Sequence, residues 1–324
     1  MPVALPLVMS DGSIFPGSIH RIPRSRSKSL TDAPLVAFEH STTKDARSNS
    51  TIIFLGGLGD GLLTSKYVPT LAYRLPAHWR LIEPILSTNY RQWGVSSLRD
   101  DVAEIVDLIQ YFQQAEGKIV LLGHSTGCQM IFHYLLSPLQ PNENERPSVA
   151  GAILQGSVSD REALLMLMSK EEYEEVCSAA QAYVDAGRGR DVLPMKYSKE
   201  VFGGVTPVNA DRMLSITSPG PEHTGEDDYF SSDFDDERLG RTFGRLGAKK
   251  IRIAILLGQN DEFSPLDDNG KIKLIHRWSK HLSSGGAVVD EVTGLVEGGT
   301  HAFKEGGLPV ETLIARIKEF LNRT

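Results

Sequence analysis

Cysteine is scarce in this chain: Cys128 and Cys177 are the only two in 324 residues. So few exclude a disulfide framework. Both fall in helical patterns and read as buried thiols in a reducing compartment. An excess of positive charge is missing as well. Lys and Arg total 34 against 41 Asp and Glu, a formal net charge of −7, which argues against nucleic acid as the main partner. No apolar run reaches the length of a membrane span. The apolar start, Met1 to Met9, has no basic residue ahead of it, holds two prolines and stops at Asp11. A secretion signal is therefore not expected, and the expected location is cytoplasmic. The nine histidines and two cysteines show no metal-ligand spacing, so neither metal nor cofactor is expected. The one basic cluster, Arg21 to Lys28, is rich in serine and reads as a solvated loop; the sharper alternative is a localisation signal.

What is present is an ordinary globular composition, 40% hydrophobic and 23% charged, in a chain long enough for one large α/β domain with an insertion. Two edge strands are expected near Ser13–Ile22 and Pro34–Glu39. Buried strands are expected at Thr51–Leu55, Trp79–Leu86, Lys118–Leu122, Val149–Leu154 and Ile251–Leu257, with a last strand at Ala287–Val292. Helices are expected at Lys66–Leu75, Leu98–Gln113, Cys128–Leu136, Lys271–Leu282 and Val310–Leu321. In the second of these, Val102, Ile105, Val106, Ile109 and Phe112 recur at helical spacing. Strands alternating with helices imply a mostly parallel, doubly wound sheet with helices on both faces. The alternation breaks after residue 157. Helical patterns at Arg161–Lys170 and Glu171–Ala186, and loops rich in Gly, Pro and Asp, run to about residue 248. The expected organisation is therefore a core in two parts, 1–157 and 249–324, with a mainly helical cap inserted at 158–248. Ligands in such sheets bind beyond the carboxyl ends of the strands, where this insertion falls.

The most informative residues are Gly123-His124-Ser125-Thr126-Gly127, a G-x-S-x-G pattern between a buried strand and a core helix. Strand, sharp turn and helix form the context of a nucleophile elbow, with small residues required at both ends of the turn and the serine at its apex. A serine hydroxyl needs a base within hydrogen-bond reach, and the base needs an orienting acid. Asp261 follows the Ile251–Leu257 strand, and His301 follows the glycine-bearing loop after the next strand. The order serine, acid, histidine makes Ser125, Asp261 and His301 the candidate catalytic set. Glu262 is the competing acid, and Asp267 and Asp268 read as caps of the next helix.

Attack on a carbonyl creates an oxyanion that needs backbone N–H donors. One candidate is Thr126, after the nucleophile. The second is Leu58 in the loop Gly56-Gly57-Leu58-Gly59-Asp60-Gly61, with Gly57 and Gly59 as alternatives. That loop fits neither G-x-G-x-x-G nor the P-loop pattern, so a phosphate cradle is not expected.

The sheet pattern and residue order resemble the α/β-hydrolase superfamily. More narrowly, Phe54-Leu55-Gly56-Gly57-Leu58-Gly59-Asp60-Gly61, the Gly-His-Ser-Thr-Gly elbow and Ser159-Asp160-Arg161 resemble a fungal group of siderophore esterases of the fusarinine C esterase type. That resemblance implies hydrolysis of ester bonds in an iron-chelating hydroxamate inside the cell, releasing iron, with Ser125, Asp261 and His301 in the matching positions. It also implies a small-molecule ester as partner, with no nucleic acid and no membrane span. The acidic stretch Glu226 to Glu237 is then expected either to attract a cationic substrate or to be a plain solvated loop. The rival readings are a general carboxylesterase or lipase, an acyltransferase with the same triad, and a binding protein on a hydrolase scaffold.

Overall fold

Short continuous apolar runs build the centre of this molecule. A computed structural model describes residues 13–24, 33–41, 49–139, 145–198 and 206–324. Among these residues nine strands share one sheet. They are β1 (Gly17–Ile22), β2 (Leu35–His40), β3 (Ser50–Leu55), β4 (Trp79–Ile85), β5 (Ile119–His124), β6 (Gly151–Gln155), β7 (Arg252–Gly258), β8 (Val288–Val289) and β9 (Gly294–Val296). The order across the sheet is β1-β2-β4-β3-β5-β6-β7-β8, with β9 also paired to β7. β1 with β2 and β2 with β4 are antiparallel. Every other pairing is parallel.

The alternation of side chains splits the core into two layers. Ile53 and Leu55 of β3, Leu121 of β5 and Ile253, Ile255 and Leu257 of β7 face one layer. It is closed by α2 (Leu98–Phe112), α3 (Thr126–Leu136) and α8 (Asp268–Gly285). Ile52 and Phe54, Val120 and Leu122, and Ala254 and Leu256 face the other. That layer is closed by α1 (Val68–Arg74) and α9 (Gly307–Arg323). Both faces are therefore covered, which is why these strands are apolar throughout rather than alternating with polar residues. α2 starts on a capping box in which Ser97 and Asp100 satisfy each other's backbone N–H groups.

Between β6 and β7 the chain runs through α4 (Asp160–Leu167), α5 (Lys170–Asp185), α6 (Ala210–Thr217) and α7. The last begins as Asp236–Leu239 and continues through a π-turn at Gly240–Gly244 into Arg245–Gly247. This stretch, expected to form the insertion, is of two kinds. Leu164, Val176, Ala180, Met213 and Ile216 form a separate small core with Trp93. Phe230, Phe234, Leu239, Phe243 and Leu246 join the main core instead, where Phe243 stacks on Trp278 at 5.2 Å.

Three local expectations are modified. The last strand is not continuous over Ala287–Val292 but split into β8 and β9. The buried Asp290 carboxylate sits at the break, where it takes bonds from Arg252 at 2.8 Å and Arg323 at 2.7 Å. A buried ion-paired side chain there, and the Asp290 Oδ1 bond from the Val292 N–H at 3.1 Å, turn the chain out of the ladder for four residues. The first half of the basic cluster is not a solvated loop. Arg21 lies in β1, and Arg24 pairs with Glu104. The second half lies in residues 25–32, outside the described residues, as does Met1–Met9. Finally, the acidic stretch is not an open anionic face. Asp227 binds Arg212 at 2.5 Å, and both are buried. Asp228 binds Arg161 at 3.3 Å, Asp235 caps α7 through the Arg238 N–H at 2.7 Å, and Asp236 pairs with Arg277 at 2.9 Å.

Candidate active site

Parallel strands end together, so the loops after β3, β5, β6, β7 and β9 meet on one rim of the sheet. The turn after β5 is the tightest of them. A Cβ on Gly123 would lie 2.6 Å from the Gly127 carbonyl carbon, and one on Gly127 would collide with the Leu55 carbonyl oxygen. Larger residues at either place would push α3 off the sheet. Between them Ser125 holds φ 52° and ψ −122°, outside the ordinary regions for a residue with a side chain. Its N–H donates to the Gln155 carbonyl at 3.0 Å, and its own carbonyl accepts from the Cys128 N–H at 2.8 Å. The strain is thus held by hydrogen bonds on both sides.

His301 is fixed from several directions. Its Nδ1–H donates to Oδ2 of Asp261 at 2.9 Å, with both side chains nearly out of solvent. Its backbone N–H donates to Glu262 Oε2 at 2.9 Å, and its carbonyl accepts from Gln155 Nε2 at 2.9 Å. Phe263 meets the ring edge-on at 4.9 Å. Gly156 has φ +62°, and a Cβ there would sit 3.2 Å from the His301 Cε1; both the conformation and the approaching ring call for glycine. Asp261 also accepts from the Phe263 N–H at 3.0 Å. The competing acid, Glu262, therefore orders the backbone of His301 while Asp261 orders its ring. Asp267 is the N-cap of α8, accepting from the Gly270 N–H at 2.7 Å, as its place in the sequence implies.

Ser125 and His301 line one cavity of about 320 Å³, together with Leu58, Asp60, His124 and Asp160. In the glycine loop the Gly57 N–H is taken by Asp60 Oδ2 at 2.7 Å, which removes Gly57 from the donor choices. Among the described hydrogen bonds the N–H groups of Leu58 and Thr126 have no partner, and Thr126 opens α3, where helix N–H groups are unpaired by geometry. His124, in the variable position of the elbow, lies 4.9 Å from the His301 ring and 3.8 Å from Asp60 Oδ2. Burial, and then the neighbouring His301, push its imidazole down to about 4. It stays neutral at neutral pH and adds no second cation beside His301.

Gln155 is the residue that sequence reasoning did not single out. It bonds Tyr67, His301 and Ser125 at once. Its one signal is a polar residue closing the otherwise apolar run Gly151–Gln155.

A doubly wound sheet with a strained serine after β5, and a histidine–aspartate pair carried by the loops after β9 and β7, defines an α/β-hydrolase. Residues 9–322 match the family described as "Protein of unknown function (DUF1749)"; the chain belongs to that family. It is 36% identical to the fusarinine C esterase sidJ of Aspergillus fumigatus, over 89% of this chain and 93% of that protein. It is 32% identical to esterase AN6793 of Emericella nidulans, over 89% of each. The solved structure of the siderophore hydrolase EstB from Aspergillus fumigatus superposes with a TM-score of 0.79 at 33% identity, covering 97% of this chain and 99% of that one.

Proposed function

We propose that this chain is a carboxylic ester hydrolase with the triad Ser125, His301 and Asp261. Its substrate is a fungal hydroxamate siderophore of the fusarinine C type, cleaved in the cytoplasm to let iron go. The observation that carries the chemistry is the 2.9 Å bond from His301 to Asp261 on the wall of the cavity that Ser125 shares. The names of the relatives supply the substrate class. In this reading His301 Nε2 takes the Ser125 proton while Oγ attacks the ester carbonyl. The backbone N–H groups of Leu58 and Thr126 hold the oxyanion, each worth about 3 kcal/mol of barrier. His301 then protonates the leaving alcohol. Water, deprotonated by the same imidazole, releases the acid and restores Ser125. Residues 158–248 act as the cap over the cavity, with Val158, Asp160, Ala163, Leu164, Leu167 and Ile216 as its contribution to the wall.

A second reading has one observation in its favour. Beside the cavity α4 exposes Leu165 (43%), Met166 (49%) and Leu167 (52%), an apolar edge that suits a carboxylesterase or lipase taking hydrophobic esters. One experiment separates them. Purified protein is given ferric fusarinine C, short soluble esters and emulsified long-chain esters, with Ser125→Ala as the blank. Ser125-dependent release of siderophore monomers supports the first reading; turnover of emulsified esters alone supports the second.

A further inference from the structure

The proposed mechanism uses Ser125, His301 and two backbone N–H groups, with Asp60 bracing the glycine loop. It leaves one carboxyl in the cavity wall without a task. Asp160 stands at the start of α4, five residues past the end of β6. Its Oδ2 accepts from Gln129 Nε2 at 3.2 Å, and among the described residues that is its one hydrogen bond. The other polar atoms nearby do not occupy it. Gln129 Oε1 and Ser157 Oγ are buried without partners, and the two buried arginines of this region are committed elsewhere, Arg212 to Asp227 at 2.5 Å and the Trp93 carbonyl at 3.0 Å, Arg161 to Asp228 and Asp233. Val158, Ala163, Leu164, Leu167 and Ile216 give the wall an apolar part, which it shares with the polar residues Asp60, His124, Ser125, His301 and Lys304. A carboxyl in such a wall is costly unless something pairs with it.

We propose that Asp160 anchors a cationic substituent of the ester and so determines which esters the cavity prefers. This rests on the hydrolase reading above and names the kind of substrate that the same site selects. The electrostatics fit. Burial, and then repulsion by Asp227, push the Asp160 carboxyl up to about 8, with Arg212 opposing. The groups that face it are Gln129 on α3, Arg212 on α6, and Asp227 and Asp228 ahead of α7; Arg161 and Glu162 follow it on α4. Asp60, His124, His301 and Lys304 share the cavity wall. In the empty cavity Asp160 is mostly neutral near pH 7. An entering ammonium favours its ionised form and pairs with it out of water. Preference for a cationic ester over a neutral one should therefore rise with pH through about 8, until the ammonium itself loses its proton.

The test compares two p-nitrophenyl esters of equal chain length, one carrying a terminal amine and one a terminal hydroxyl, from about pH 6 to about pH 9. The readout is the ratio of their kcat/KM values, in which the protonation of His301 cancels. Wild-type protein should show the ratio rising about tenfold, and Asp160→Asn should show a lower, flat ratio. A flat ratio in the wild type overturns the proposal with no variant needed. So does an Asp160→Asn protein that keeps the rise. If the wild type cleaves neither ester, the hydrolase reading itself falls and takes this inference with it.

Discussion

The rim of the sheet and the helical layer between β6 and β7 are held by different physics. At the rim, position is set by backbone: two glycines that admit no Cβ, a serine held at φ 52°, and hydrogen bonds that Gln155 accepts from Ser125 and donates to His301. In the helical layer, position is set by charge. Arg212–Asp227 and Arg161–Asp228 join segments of the chain that share no strand or helix. A backbone device is precise and local, whereas an ion pair is tolerant of spacing and long in range. The difference predicts how each region fails when it is altered.

The largest effect should come at the rim without any loss of fold. Ser125→Ala is expected to lower kcat by about four orders of magnitude or more while leaving the melting temperature within a few degrees of wild type. Steady-state kinetics with a thermal melt checks both halves. Next, Gly127→Ala should break the backbone device itself. With its Cβ driven into the Leu55 carbonyl, the protein should lose about 3 kcal/mol or more, or fail to accumulate, as read by urea unfolding. In the helical layer, Arg212→Met leaves the buried Asp227 unpaired and should cost about 3–5 kcal/mol. Adding Asp227→Leu to it should recover part of that loss. If the double variant is less stable than the single, charge is not what holds this layer.

Smaller effects sharpen the contrast. His124 has its imidazole pushed down to about 4 from an ordinary 6.5. The unfolded chain therefore takes up a proton first, and stability is lost as pH falls from about 6.5 through 4. His124→Gln should flatten that slope by up to about 3 kcal/mol, measured by unfolding at a series of pH values. The smallest effect belongs to the exposed pair Lys170–Glu174 on α5, where Lys170→Ala should change stability by less than about 0.5 kcal/mol.

The same contrast governs what could be read from the chain alone. The elbow was legible because it is written in contiguous residues, and the candidate acid and histidine because each lies a few residues past an apolar run. β5, Ser125 and α3 follow one another without a gap, and Asp261 and His301 lie in the loops after β7 and β9. The sequence placed Leu58 first with Gly57 and Gly59 as alternatives, but the reason to set Gly57 aside was not legible, since it lies in the Asp60 carboxylate folding back onto the Gly57 N–H. Nor was the fate of the acidic run from Glu226 to Glu237. In sequence its carboxylates look free, but their partners Arg161, Arg212 and Arg277 lie between 15 and 72 residues away where hydrogen bonds join them. The split of the last strand at Asp290 has the same cause, two arginines from distant elements converging on one buried carboxylate.

The central claim is that Ser125 is a nucleophile activated by His301. A fluorophosphonate probe followed by intact mass and peptide mapping tests it most directly. The account predicts one adduct per chain, on Ser125, abolished by His301→Ala even though that variant remains folded. Wild-type protein that takes up no label, or carries it on another residue, would contradict it.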